Sequence, residues 1–295
     1  MHALDSFFQR FVRQPRSGIL RPDPVFIIGM HRSGTSALGG AVEPLGLSVG
    51  KSVMPPSATE NPKGYYENLS IMQFHDRFLT AIGSEWTDVV PLRRKRFKAE
   101  VARPFREELF SLLVAEFGGQ RALIKDPRMC RLLPLWHPII KRQFPQAFFL
   151  LPIRHPVEVA FSLQKRDGLP LHQGLQLWAV HVLEGERGTR GFRRLFTTYD
   201  ELIASPWETV ARLAKALNLS LEKVQAEASA QVDPALRHHA GLSWPAGEPD
   251  GELVIAIYEA VISDDPRKEK NLDRLRLSYY REMGWRRGRW SWNRA

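Results

Sequence analysis

The sequence predicts an α/β protein: a mostly parallel central sheet flanked by helices, followed by a helical C-terminal part. Three observations carry this. Short apolar runs alternate with longer amphipathic ones, the rhythm of βαβ units. The 295 residues are 43% hydrophobic and 25% charged, the balance of a globular chain able to bury a sizeable core. One apolar run ends in a glycine-containing turn that opens directly into a helix. Residues 1–24 read as an N-terminal extension, and residues 25–295 as one α/β domain with a helical, basic C-terminal segment.

In chain order, the apolar runs Val25–Ile28, Ala122–Ile124, Ala147–Ile153 and Arg194–Thr198 are the expected strands. Helical periodicity marks Ser33–Leu45, a segment around Ser70–Ile82, Lys98–Phe117, Leu135–Gln143, Val157–Asp167 and Leu171–Phe192. After Tyr199 the pattern is nearly all helix, clearest at Pro206–Leu217, Leu221–Ala230 and Glu252–Ser263. Ser48–Tyr66 carries Pro55, Pro56, Pro62 and Gly64 and is a loop long enough to suspect function; Gly241–Gly251 is a second break. The N-terminal stretch lacks the apolar run of a signal peptide, and no run is long enough to span a membrane. The single Cys130 requires no oxidising compartment, so a cytoplasmic setting is expected. Phe7, Phe8, Phe11 and Val12 share one face of a short basic helix that either packs on the domain or touches a lipid surface, here the inner face of the membrane.

VFIIGMHRSGTSALGG places Gly29 to Ser36 between a strand and a helix. Glycines there let consecutive N–H groups and the positive helix end face an anion; Arg32 adds charge, and Ser33, Thr35 and Ser36 add hydroxyls. Against the nucleoside-triphosphate pattern GxxxxGK[ST], Thr35 stands where the lysine belongs. No aspartate ends the second strand in a place to hold magnesium, because Ala122–Ile124 runs into Lys125-Asp126-Pro127-Arg128.

The RSGTS turn resembles the 5′-phosphosulfate loop of sulfotransferases that use 3′-phosphoadenosine 5′-phosphosulfate (PAPS). A second likeness is FFLLPIRHPVEVAFSL, with Arg154 at a strand end and Ser162 eight residues on. In that family an arginine and a serine at this spacing hold the 3′-phosphate, which ATP lacks. A third, TTYDELIASPWETVARL, is similar to the family's strand-Tyr segment and offers Tyr199 near the nucleotide. The resemblance spans about Val25 to Leu219. It implies a P-loop-like sulfotransferase fold, PAPS as co-substrate with 3′,5′-ADP as product, and no required metal. The implied cofactor site is His31, Arg32, Ser33, Gly34, Thr35, Ser36, Arg154, Ser162 and Tyr199.

Sulfuryl transfer is an in-line displacement, so the site must place the acceptor, take its proton and stabilise the departing phosphate. Arg32 and Lys125 are the candidates for the charge. Glu67 in ENPKGYYEN is the favoured base, with Glu60 and His75 as alternatives. Each has a bland reading: Glu67 as a helix cap, His75 as one residue of an amphipathic helix, Asp126 and Arg128 as a structural pair, His155 as a turn residue. The expected acceptor is a hydroxyl on a small molecule, carbohydrate or glycolipid, with Tyr65, Tyr66 and Trp86 suited to sugar stacking.

The 42 basic and 32 acidic residues give a net charge of +10, which also raises nucleic-acid binding, with the tryptophans of RRGRWSWNR as stacking groups. A magnesium-dependent phosphotransferase is the other alternative. The charge is uneven: 266–295 carry +7 and 93–106 carry +6, leaving the rest slightly acidic. The proposed cofactor residues therefore do not account for the bulk charge.

Overall fold

A computed structural model describes residues 23–58, 60–221 and 251–284. Four parallel strands, β1 (Val25–Ile27), β2 (Leu123–Lys125), β3 (Phe148–Ile153) and β4 (Arg193–Thr198), form a sheet in the order β2-β1-β3-β4. Phe26 sits in register with Ile124 on one side and Phe149 on the other. Because the chain leaves β1 for one neighbour and returns to pair β3 on the opposite side, the order reverses beside β1. In open parallel sheets the crevice at the C-terminal ends of strands at such a switch point is where ligands bind.

Both faces of the sheet are covered, which explains the continuous apolar runs. Val25, Ile27, Leu123, Phe148 and Leu150 face α1 (Thr35–Val42) and α8 (Pro206–Leu217) through Leu38, Val42, Val210 and Leu213. Phe26, Ile28, Ile124, Phe149 and Leu151 face α2 (Leu69–Ala81), α3 (Ala99–Phe117) and α4 (Met129–Gln143). There the Phe26 ring stacks on Phe149 at 5.0 Å and meets Trp136 edge-on at 5.5 Å. A third cluster joins α5 (Pro156–Asp167) and α6 (Leu171–Gly188) to α9 (Gly251–Ile262) and α10 (Lys268–Glu282) around Trp178 and Tyr279.

The elements depart from the sequence reading where local signals mislead. The fourth helix begins at Met129, not Leu135, and carries Pro134 and Pro138 inside it. Burial of Met129, Leu132, Leu133 and Trp136 outweighs the proline penalty, and Asp126 Oδ1 accepts from the Arg128 amide at 2.9 Å to start the turn. The sixth helix stops at Gly188, four residues early. A short helix α7 (Tyr199–Ala204), closed by a Thr198/Glu201 capping box, and α10 were not singled out; α10 buries only Leu272 and Tyr279 and so shows no apolar stripe. The expected helix Leu221–Ala230 lies almost wholly outside the described residues, as do the Phe7–Val12 face, the Gly241–Gly251 break apart from its last residue, and RRGRWSWNR. No described helix is long and apolar enough to cross a membrane.

Candidate active site

The C-terminal end of every strand leads into the same cleft. After β1 the chain turns through Arg32, with φ 65°, and Gly34, with φ 84°, before α1 begins. Glycine is required at 34 twice over: the backbone is left-handed, and a Cβ there would run into the Tyr199 ring. Tyr199 follows β4, so this contact ties the two strand ends together. After β3, Arg154 donates through Nη1 to the Arg32 carbonyl at 3.1 Å and through Nε to Glu158 at 2.8 Å, with its guanidinium 4.5 Å from the Tyr199 ring centre. Its Nη2 is buried and has no hydrogen-bond partner, and the same holds for Ser33 Oγ. Buried donors left unpaired in a positive site are what an anionic ligand would satisfy. Arg32 Nε donates to Ser162 Oγ, on α5, at 2.8 Å. Burial, then the nearby Arg166 and Arg154 charges, lowers the Arg32 pKa.

The opposite end is organised by Lys125, the last residue of β2. Its Nζ reaches Glu67 Oε1 at 2.6 Å, the Tyr65 carbonyl at 2.7 Å and Ser36 Oγ at 3.0 Å, using all three of its donors. Asn61 also donates to Ser36, at 2.9 Å. Glu67 does not cap α2; that role falls to Asn68, whose side chain accepts from the Ile71 amide at 3.0 Å. The 48–66 segment is pinned from α3: Glu116 accepts from the Lys51 and Ser52 amides, Ser52 Oγ and Asn68 Nδ2, all within 2.7–2.9 Å. Burial alone would raise the Glu116 pKa, but these donors bring it down to about 2. The cleft between the two ends has a volume of about 760 Å³.

A residue past Lys125, strand alternation turns the chain's chemistry inward. Asp126 Oδ2 bonds His75 Nδ1 at 2.7 Å, and Trp136 Nε1 donates to His75 Nε2 at 2.9 Å. An indole N–H only donates, so the ring proton sits on Nδ1. Burial would raise the Asp126 pKa; Arg128, at 3.1 Å, and the His75 hydrogen bond hold it well below the usual carboxylate range. Arg128 also pairs with Asp76, at 2.5 Å.

A sequence profile described as the sulfotransferase family matches residues 24–223. The chain belongs to the sulfotransferase family. Among solved structures it is similar to the sulfotransferase domain of the Synechococcus PCC 7002 olefin synthase, at 18% identity over 86% of this chain and 99% of that one, with a TM-score of 0.51, which supports the shared fold. It is also similar to mouse sulfotransferase SULT7A1 complexed with PAP, at 16% identity over 88% of this chain and 85% of that one, with a TM-score of 0.42. No curated protein sequence matches the chain.

In this sulfotransferase one cleft is lined by His31, Arg32, Gly34, Thr35, Ser36, Glu67, Lys125, Arg154, Ser162 and Tyr199. Ser33 is buried within the turn. Glu60 lies at the rim, where its carboxylate accepts from the Tyr65 hydroxyl at 3.0 Å. His75 is not brought to the cleft: it is fully buried with both ring nitrogens bonded, which corrects its place among candidate bases. Tyr66 is also not a cleft residue, because its ring packs against Gly39 and Gly40 of α1 so closely that a Cβ at Gly40 would fall 2.8 Å from it.

Two basic cleft residues escaped the sequence reading, as did apolar ones such as Met54 and Met72. Lys165 and Arg166 stand three and four positions after Ser162, hence on the same face of α5, a spacing that would have found them. Arg166 lies 5.7 Å from the Trp86 ring centre, and the His31 and Trp86 ring centres are 4.6 Å apart. Burial, with the Arg166 and Arg128 charges, pushes the His31 pKa well below its usual value, so the ring is neutral at pH 7.

Proposed function

We propose that the enzyme transfers a sulfuryl group from PAPS to a hydroxyl acceptor. What supports this reading is two groups of donors suited to an anion, on adjacent strand ends. One is the β1 turn and start of α1, with Ser33; the other is Arg154 with the Arg32–Ser162 pair. A ligand with two separate anionic groups, as in a 3′,5′-bisphosphorylated nucleotide, matches that layout. Arg154 Nη2 and Ser33 Oγ are the unpaired buried donors it would satisfy.

In the transfer, the acceptor oxygen forms the new O–S bond as the bond from sulfur to the bridging phosphate oxygen breaks. The departing electron pair stays on the nucleotide phosphate, where Arg32 and the α1 N-terminus stabilise it. Glu67 accepts the acceptor proton; Lys125 holds Oε1 and leaves the second carboxylate oxygen for it. A magnesium-dependent phosphotransferase is disfavoured by the donor set, since the Asp126 oxygens are committed to His75 and Arg128. Incubation with sulfur-labelled PAPS and a panel of alcohols, sugars and amines tests the reading. Label is expected in a hydroxyl compound; label accepted only by amines, or no transfer alongside turnover of ATP with magnesium, would overturn it.

A further inference from the structure

The two ends of the cleft differ in kind, and that difference points to the acceptor. The nucleotide end is a web of charge: Arg32 on Ser162, Arg154 on the Arg32 carbonyl, and Lys165 and Arg166 one turn further along α5. Around Glu67 and Lys125 three apolar side chains enter the cleft beside polar groups that are largely paired, Arg128 among them with Asp76 and Asp126. Met54 is tied beside Glu67, its amide donating to the Glu67 carbonyl at 2.9 Å. Met72 stands one helical turn beyond Asn68, and Pro127 two residues past Lys125; all three line the cleft. Val53, 51% exposed, and the exposed Pro55 and Pro56 flank Met54 in the chain.

Most of the polar groups at this end are paired with one another, Glu67 keeping one oxygen for the acceptor hydroxyl. Lys125 and Glu67 neutralise each other at 2.6 Å, Asn61 donates to Ser36, and Tyr65 donates to Glu60. A polyhydroxylated acceptor buried here would exchange water for few protein hydrogen bonds, which costs free energy. An apolar chain loses nothing of that kind and gains contact with two adaptable thioethers.

Resting on the sulfotransfer reading above, we propose that the accepted hydroxyl is carried on an apolar chain that lies along Met54, Met72 and Pro127 and leaves past Val53. The acceptor class is a chain-bearing alcohol, not a free sugar.

The full chain is assayed with labelled PAPS against ethanol, butanol, hexanol and octanol, and against glycerol and glucose. The ratio kcat/KM is expected to rise by up to about fourfold per added methylene, with the polyols no better than ethanol. In Met72→Gln, a change of similar volume, the slope with chain length is expected to fall while the thermal shift on 3′,5′-ADP is retained, which also certifies the fold. Glucose outperforming octanol, or a chain-length slope unchanged in both Met72→Gln and Met54→Gln, would overturn the acceptor proposal and leave the donor reading standing. Loss of any response to 3′,5′-ADP in the unaltered protein would instead remove the donor reading and this proposal with it.

Discussion

Lys125 and Asp126 are neighbours at the end of one strand, both buried, both paired, and they serve opposite ends. Lys125 faces the cleft and meets Glu67; Asp126 faces the core and meets His75, Trp136 and Arg128. The pleat separates them, because successive side chains point to opposite faces. Buried ion pairing alone therefore does not mark a catalytic group. What distinguishes the two is whether a partner retains an atom toward the cleft: Glu67 lines it, whereas His75 has neither nitrogen to spare.

Neutralising one partner on each side separates the two faces. Glu67→Gln keeps the shape and a hydrogen bond to Lys125 but removes the proton acceptor. Its kcat should fall by about 10²–10⁴-fold with PAPS binding intact. Near-normal turnover would move the base to another cleft residue, with Glu60 and His31 next in place. Asp126→Asn acts on the other side. Removing the charge between His75 and Arg128 should destabilise the fold by about 3 kcal/mol or more, read as a lower midpoint in urea, while turnover per folded molecule drops far less than in Glu67→Gln. If the two variants exchanged phenotypes, the division between the faces would be wrong.

A smaller effect concerns the loop that carries Glu67. Glu116 holds 51–52 and Asn68, and its pKa of about 2 lies below the ordinary 4.5. A depressed carboxylate binds fewer protons folded than unfolded near pH 4, so its contribution is complete above 4.5 and is lost as pH falls toward 2. Wild type should therefore lose stability more steeply across that window than Glu116→Gln. Parallel curves in acid titrations of the unfolding midpoint would contradict the assignment.

Much of the fold was legible because strand ends and turns are local. The β1 turn, Arg154 after β3 and Tyr199 after β4 follow from short apolar runs and their next residues. His75 was legible in principle too: Ile71, Phe74, His75 and Phe78 follow the i, i+3, i+4, i+7 spacing of one buried face, so its burial is what the pattern dictates. The partners that use up its nitrogens are distant in sequence, at Asp126 and Trp136, and no local pattern reveals them. Pro134 hid the first turn of α4 for the same reason, since tertiary burial outweighed a local signal. Tyr66 shows the converse, an aromatic residue in a suggestive motif that is consumed by close packing on Gly39 and Gly40.

On the proposed function, the switch-point site takes a nucleotide with a second, separate phosphate, gripped by Arg154 and Ser162. Thermal unfolding with 3′,5′-ADP and with 5′-ADP, both without metal, tests it most directly. At a hundredfold excess over Kd the bisphosphate should raise Tm by about 5 °C. Omitting the 3′-phosphate, or replacing Arg154→Ala, should remove most of that shift while the apo fold persists. Equal shifts from the two nucleotides, or an Arg154→Ala protein that responds like wild type, would contradict it.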